Sequence, residues 1–357
     1  MNLIARYIFK KCLFNTLVML LSFVMLFALF SIIGQLNEIG KGDYTLGAML
    51  YYTLLQMPNF LYLLMPLGIL IGVMISMLGL VTFSEFAIIR TSGVSLRSIM
   101  VILLVFGFIF GVITFLLGEL VAPLANNYAQ FYKKSKTHEV VSTQLSSGVW
   151  SKDGDNTFVD IHQILPDSSI IGVSVMKFDS DLKLIQTIEA ERGEFDYKRT
   201  VWTLKNALVK DYTKTNITNI SYPEYTWKST IEPKYFSVLI ITPEDMSAFG
   251  LLRYMQHLSR NHQNIRRYEI AFWGKLLYPI ACITMSLIAL AFIPNNRRSV
   301  NLGTKLFTGI LIGVSFFFST RLIGFMALIF HWNPIISAFT PTLVLLTAGW
   351  YFVLRKE

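Results

Sequence analysis

The stretch IMVILLVFGFIFGVITFLL at residues 99–117, followed from position 125 by ANNYAQFYKKSKTHE, decides the architecture. The first run is uncharged and long enough to cross a hydrocarbon core of about 30 Å at about 1.5 Å per helical residue. The second is polar and basic, and such residues are costly inside lipid. Working outward, the polar character persists from about residue 125 to about 258. Three apolar runs of spanning length lie on each side of it: 13–33, 57–81 and 99–117 before, 276–293, 306–330 and 334–354 after. Only 306–330 holds an interior charge, Arg321. With 54% hydrophobic and 15% charged residues, the chain reads as a polytopic membrane protein, not a soluble enzyme. The expected layout is three membrane helices over 1–124, a separate domain over 125–258, and three further membrane helices over 259–357.

Lysine and arginine in short loops stay on the cytoplasmic side. One side of the expected membrane carries ten of them: Arg6, Lys10, Lys11, Arg90, Arg97, Arg297, Arg298, Lys305, Arg355 and Lys356. The short loops of the other side, 35–56 and 331–333, carry only Lys41. Both termini are therefore expected in the cytoplasm, with the central domain outside. Basic residues precede the first apolar run as in a secretion signal, but the run is longer than a signal core and no small-residue cleavage site follows, so it reads as a retained helix. The net charge of +9 reads as topology, because its basic residues divide between cytoplasmic loops and the domain's membrane-proximal edges. Cys12 at the start of the first membrane helix and Cys282 inside the fourth form neither a disulfide framework nor a metal spacing.

Small residues recur every four positions in three spans: Gly68, Gly72 and Ser76; Gly107 and Gly111; Gly309 and Gly313. Such stripes let helix backbones approach closely. Pro58 and Pro66 remove backbone donors from the second span and predict a bend there. The central domain reads as all-β. β-rich runs at 158–162, 170–178, 184–190, 201–209 and 216–222 are separated by turn clusters such as Lys152-Asp153-Gly154-Asp155-Asn156 and Pro166-Asp167-Ser168-Ser169. That spacing suits a sandwich or a jelly-roll-like sheet.

No catalytic constellation emerges. Residues 34–41 imitate a phosphate loop, but five residues separate the glycines and Gly42 stands where Ser or Thr should follow Lys41. His138-Glu139 opens a zinc-protease pattern that Ser142 breaks, and His162, His257, His262 and His331 share no ligand spacing. No cofactor is expected in this chain, and any ATP would be bound and hydrolysed by a partner. One loop suits contact with such a partner. Between the second and third spans, around 84–92, Ser84-Glu85 opens a short helical run with Phe86, Ile89 and Arg90 at helical spacing, and Ser92-Gly93 closes it. An acid-tipped helix at the membrane face fits the groove of a soluble motor; equally, it reads as a plain connector with Glu85 in water.

Further residues carry a resemblance. They are Arg6-Tyr7, Ser84-Glu85, Ser92-Gly93, Val121-Ala122-Pro123, the run Gly148-Val149-Trp150-Ser151-Lys152-Asp153-Gly154, Trp273 with Lys275, and Arg298-Ser299-Val300. Over nearly its full length the chain resembles the lipopolysaccharide-export permeases of the LptF/LptG family, nearer the LptG type. The resemblance implies a bacterial inner-membrane protein and an ABC-type assembly. Its expected partners are a paralogous LptF-like permease, a cytoplasmic LptB-like ATPase dimer and a single-span LptC-like acceptor of the lipid; it places Glu85 on the helix seated on the ATPase. Two departures stand out. Ser31, Asn37 and Glu38 occupy positions where members often carry basic residues, and Gln130 stands at a frequent arginine.

Lipopolysaccharide has several acyl chains and two phosphates, so its extraction from the outer leaflet calls for an apolar cavity with cations at the outer rim. The candidate rim is Lys133, Lys134, Lys136, Lys275 and Arg321. Arg321, about 22 Å along its helix from residue 306, falls in the outer half, where it either pairs with a ligand or snorkels to the interface. In the β domain, Phe158 and Ile161, with Val173 and Val175, are expected to line an apolar groove for acyl chains. Two other classes stay open: a permease for another amphiphile such as lipoproteins, whose outer domain usually follows the first span, and a non-transporting envelope scaffold.

Overall fold

The computed structural model describes residues 3–137, 149–153, 156–164, 169–181, 183–197, 199–213, 216–229, 231, 242–260, 263–292 and 302–354. Arg297, Arg298, Ser299, Val300, Arg355, Lys356, His138, Glu139, Ser142, Gly148, Gly154, Asp155, His262 and the turn residues Pro166, Asp167 and Ser168 lie outside the described residues.

The chain runs α1 (Leu3–Gln35), α2 (Leu46–Thr82), α3 (Glu85–Thr91) and α4 (Leu96–Leu116), then a π-helical turn (Leu117–Val121) and α5 (Ala122–Thr137). Six strands follow: β1 (Val149–Lys152), β2 (Thr157–Ile164), β3 (Ile170–Phe178), β4 (Leu184–Asp196), β5 (Val201–Tyr212) and β6 (Ile217–Trp227). The chain returns through α6 (Ala248–Arg260), α7 (Arg266–Ala291), α8 (Leu302–Ile329) and α9 (Pro334–Leu354). Among the described residues, six helices are long and apolar enough to cross a membrane, each at an expected span. The polar stretch is not β throughout. Its first residues continue the third span as helix, so that Leu96–Thr137 forms one rod of 42 residues, about 63 Å long, and its last residues form α6. A helix satisfies its own backbone and persists when its surroundings change from lipid to water, which is why polarity alone misplaced that boundary.

α2 is the bundle's central helix, unbroken through Pro58 and Pro66, with Ile69, Leu70, Met74, Met77 and Leu80 buried. At Gly72, Gly107 and Gly111 the small-residue stripes let backbones meet. A Cβ on Gly72 would lie 2.6 Å from the Thr16 nitrogen of α1; one on Gly107, 2.8 Å from the Ile283 Cα of α7; one on Gly111, 2.9 Å from the Pro279 carbonyl oxygen. Gly309 and Gly313 of α8 instead make room for side chains of α2, Met74 and Leu67. Polar groups in these seams bond across helices, as where Ser286 Oγ donates to the Leu103 carbonyl at 3.0 Å and Asn15 Nδ2 to Ser76 Oγ at 2.8 Å.

The described strands form one antiparallel sheet in the order β1-β2-β3-β4-β5-β6. β1, read from sequence as part of a motif and a turn, pairs with β2 over Val149–Lys152. Val159, Ile161, Val173, Val175, Ile188, Ala207 and Val209 close one core with Trp202, Leu204 and Trp227, and Trp202 Nε1 donates to the Ile231 carbonyl at 2.8 Å. The ladder is interrupted along a single line through His162, Gly172, Glu191, Asn206 and Pro223, each opposite the next. Gly172 (φ 64°) and Asn206 (φ 52°) are left-handed there. His162 Nδ1 lies 2.9 Å from the Gly172 carbonyl oxygen, and Asn206 Nδ2 donates to Glu191 at 2.8 Å. On β5 the residues of this core are even-numbered before the crease, Trp202 and Leu204, and odd-numbered after it, Ala207 and Val209. β3, β4 and β5 turn over as they cross, and one core lines both halves.

Candidate functional site

Two places hold the expected site residues, at opposite ends of the bundle. At the end carrying α3, Ser84 joins α2 to α3 in the left-handed region (φ 63°) without a side-chain cap, so it acts as the turn residue and not as the helix cap the sequence suggested. Gly93 (φ 91°) closes α3, its N–H donating to the Arg90 carbonyl at 3.1 Å. The Glu85 carboxylate accepts from the Tyr7 hydroxyl at 2.7 Å and from Lys11 at 3.0 Å, both on α1. The Tyr7 hydroxyl first, then the Lys11 ammonium, hold the Glu85 carboxyl below its ordinary value. Ile89 is buried and Phe86 half-buried against the bundle core, while Arg90 is exposed. The expected trio therefore does not share one free face. The exposed apolar residues are Phe83 and Ile88, at 72% and 64% exposure, which sequence spacing missed.

At the end carrying the sheet, a cavity of about 770 Å³ opens among α2, α7, α8 and α9. Its walls include Tyr62, Tyr278, Phe316, Phe317 and Phe325, and its polar groups include Lys275, Arg321, Arg267 and Glu244. Lys275 and Arg321, 46 positions apart in sequence, line it together. Lys275 lies nine residues in from Arg266 and Arg321 eight residues from Ile329, so each stands about 12–14 Å from the outer end of its helix. Lys275 sits 5.6 Å from the Tyr62 ring centroid and donates to the Met246 carbonyl, and Arg321 lies 5.7 Å from the Phe317 ring centroid. Tyr278 donates to the Leu63 carbonyl at 2.7 Å, fixing α7 against α2 beside the cavity.

Lys133, Lys134 and Lys136 stand at the end of α5 and are not among the cavity's lining residues. Lys133 lies 5.7 Å from the Tyr52 ring centroid, and Tyr52 precedes Tyr62 on α2 by ten residues, or about 15 Å. The five expected rim cations thus divide into a pair in the cavity and a lysine group farther out. Phe158 and Ile161 are corrected. Lying three positions apart on one side of the crease, they point to opposite faces of β2, because strand side chains alternate with period two. Ile161, with Val173 and Val175, is buried in the closed core, and Phe158 packs edge-on against Phe178 at 5.6 Å.

Sequence reading also missed Glu119, in the middle of the π-helical turn. Its two carboxylate oxygens accept from the Ala248 and Phe249 N–H groups at 2.7 and 3.0 Å, at the start of α6. Ser247 Oγ accepts from Gly250 at 3.0 Å, so the first three N–H groups of α6 are all satisfied. The signal available was an acid placed just after an apolar run, with nothing to name its partner.

A family model described as lipopolysaccharide export system permease LptF/LptG matches residues 6–355. The lipopolysaccharide export system permease protein LptG of Escherichia coli strain K12 is 30% identical over 357 residues, covering 99% of this chain and 98% of that protein. The protein of the same name from Haemophilus influenzae is 26% identical over 356 residues, covering 100% and 99%.

Proposed function

The chain belongs to the lipopolysaccharide export system permease LptF/LptG family, and on that premise we propose that the cavity among α2, α7, α8 and α9 receives part of the lipid on its way out of the membrane. It is a permease with six membrane helices and an inserted β domain. The observation that carries the reading is the pairing of Lys275 and Arg321 in an aromatic-walled cavity at one depth. Apolar walls take acyl chains, and the two cations take phosphate, the Arg321 guanidinium through a fixed fork of donors.

In this reading both termini and α3 lie in the cytoplasm, and the β domain lies in the periplasm, as the distribution of loop lysines and arginines indicates. A cytoplasmic ATPase dimer seats on α3, with the exposed Phe83 and Ile88 as the apolar part of the contact and Glu85 and Arg90 as its charged part. A second permease of the family completes the membrane assembly, and a single-span periplasmic protein accepts the lipid. Lys133, Lys134 and Lys136 hold phosphates after they leave the cavity.

The test is lipopolysaccharide-stimulated ATP hydrolysis by the reconstituted complex with Arg321 altered. Activity should fall in the order native, Arg321→Lys, Arg321→Ala, because Lys keeps the charge and loses the fork. An Arg321→Ala complex that binds and moves the lipid like the native one removes Arg321 from the site.

A further inference from the structure

The π-helical turn and Glu119 lie on the rod that starts four residues beyond α3 and ends at the lysines of α5. π-helical turns inside otherwise regular helices are rare and concentrate where a helix serves a function. This one directs a carboxylate sideways onto the segment by which the β domain returns to the membrane. The bond is bidentate and joins residues 129 and 130 positions apart. The same return segment is held a second time, by Lys275 of α7 through the Met246 carbonyl. α4 and α7 are in turn locked together where Gly107 and Gly111 meet Ile283 and Pro279.

We infer that Glu119 is a positioning residue: it ties the return root of the β domain to the α4–α5 rod, so that a displacement of α3 at one end of the rod reaches the domain at the other. The inference rests on the proposed seating of the ATPase on α3. The rod supplies rigidity, because its backbone bonds run unbroken from Leu96 to Thr137. Glu119 supplies the sideways connection, because a carboxylate on two adjacent helix N–H groups fixes direction as well as distance. Without it the return root keeps its contacts with α7, among them the Lys275 bond and the Tyr254–Tyr268 ring pair at 4.8 Å, but loses this carboxylate tie to the rod, and work done at α3 is spent on slack between rod and root.

The experiment uses the full chain in its reconstituted complex, with spin labels at Tyr197→Cys in the β4–β5 turn and Phe108→Cys on α4, both exposed positions; native Cys12 and Cys282 are buried. The distance distribution between labels should be narrow with Glu119 present, at least twofold broader with Glu119→Ala, and intermediate with Glu119→Gln, which keeps one acceptor oxygen. In matched unlabelled complexes, ATP hydrolysis by Glu119→Ala should stay within twofold of native while lipid delivered per ATP falls at least fivefold. A native-like distance width in Glu119→Ala overturns the inference, as does an equal fall in hydrolysis and delivery. Failure of the ATPase seating shows separately, as native ATPase retention when Ile88 is made acidic, with the Glu119 broadening intact.

Discussion

The Tyr7 hydroxyl donates to the Glu85 carboxylate at 2.7 Å, tying the start of α1 to the tip of α3 across 78 positions of sequence. This bond is the larger cause of the depressed Glu85 pKa, ahead of Lys11. A depressed carboxyl contributes its tie above its unfolded-state pKa and loses it as the pH falls through the lower folded-state value. Tyr7→Phe should therefore shift the acid limb of the complex's ATPase profile upward, toward the ordinary carboxylate pKa of about 4.3. The profile from about pH 3 to 6 decides it, and an unmoved limb would separate Glu85 from that titration.

Reversing the charge at Glu85 should loosen the ATPase. In Glu85→Lys, Lys11 faces a second cation, α3 loses its tie to α1, and retention of the ATPase through purification should fall about tenfold, equivalent to about 1.4 kcal/mol. Adding Lys11→Glu restores a pair between α1 and α3 but leaves the tip of α3 cationic, and should not recover retention. Full recovery in the double variant would assign Glu85 to holding α3 in place and not to the contact itself.

Ile88→Asp should be at least as damaging as Glu85→Lys. A large apolar side chain 64% exposed on a short helix beside the membrane is what a buried partner contact needs, and interface energy concentrates in few such residues. Ile89→Asp fails differently, because Ile89 is buried in the bundle and its loss lowers the yield of folded permease. Comparing folded yield with ATPase retention separates the two.

Single alanines at Lys133, Lys134 or Lys136 should be tolerated, since an exposed ion pair contributes about 0–1 kcal/mol. The triple variant should lower lipid delivery while leaving lipid binding in the cavity intact, because these lysines lie outside it. Photo-crosslinking from position 270, where Ile270 lines the cavity, reads the binding step in the triple variant without touching Arg321.

Two glycines in membrane helices should respond oppositely to alanine. A Cβ on Gly79 meets nothing within 4 Å, so Gly79→Ala should be neutral or stabilising by up to about 1 kcal/mol through helix propensity. On Gly107 it meets the Ile283 backbone at 2.8 Å, so Gly107→Ala should cost about 1–3 kcal/mol through overpacking of α4 on α7. Thermal unfolding in detergent measures both.

What was legible in the sequence follows the range of the interaction that fixes it. The spans could be read because an uncharged run of bilayer length has few alternatives, and the glycine stripes because helical spacing is local. Arg321 could be placed by counting along its helix, but its neighbour Lys275 comes from a helix whose packing no local pattern reveals. The same holds for Tyr7 beside Glu85 and for α6 beside Glu119. Phe158 and Ile161 were misassigned for another reason. A β-rich run shows that a strand exists, while which face is inner depends on its neighbours and on a crease through residues such as Gly172 and Asn206.

That crease also bears on how the protein is made. A flat sheet leaves an apolar face that waits for a second sheet, whereas this one folds over its own core, and every pairing among the described strands joins consecutive ones. Contacts that are short in sequence close quickly, because little loop entropy is lost before they form. The described residues of the core are all available once β6 and Ile231 have been made, before α7, α8 and α9 have been synthesised. The β domain can therefore mature during synthesis, ahead of the membrane half that later anchors its return, and chains arrested after residue 242 should already carry it in a protease-resistant form.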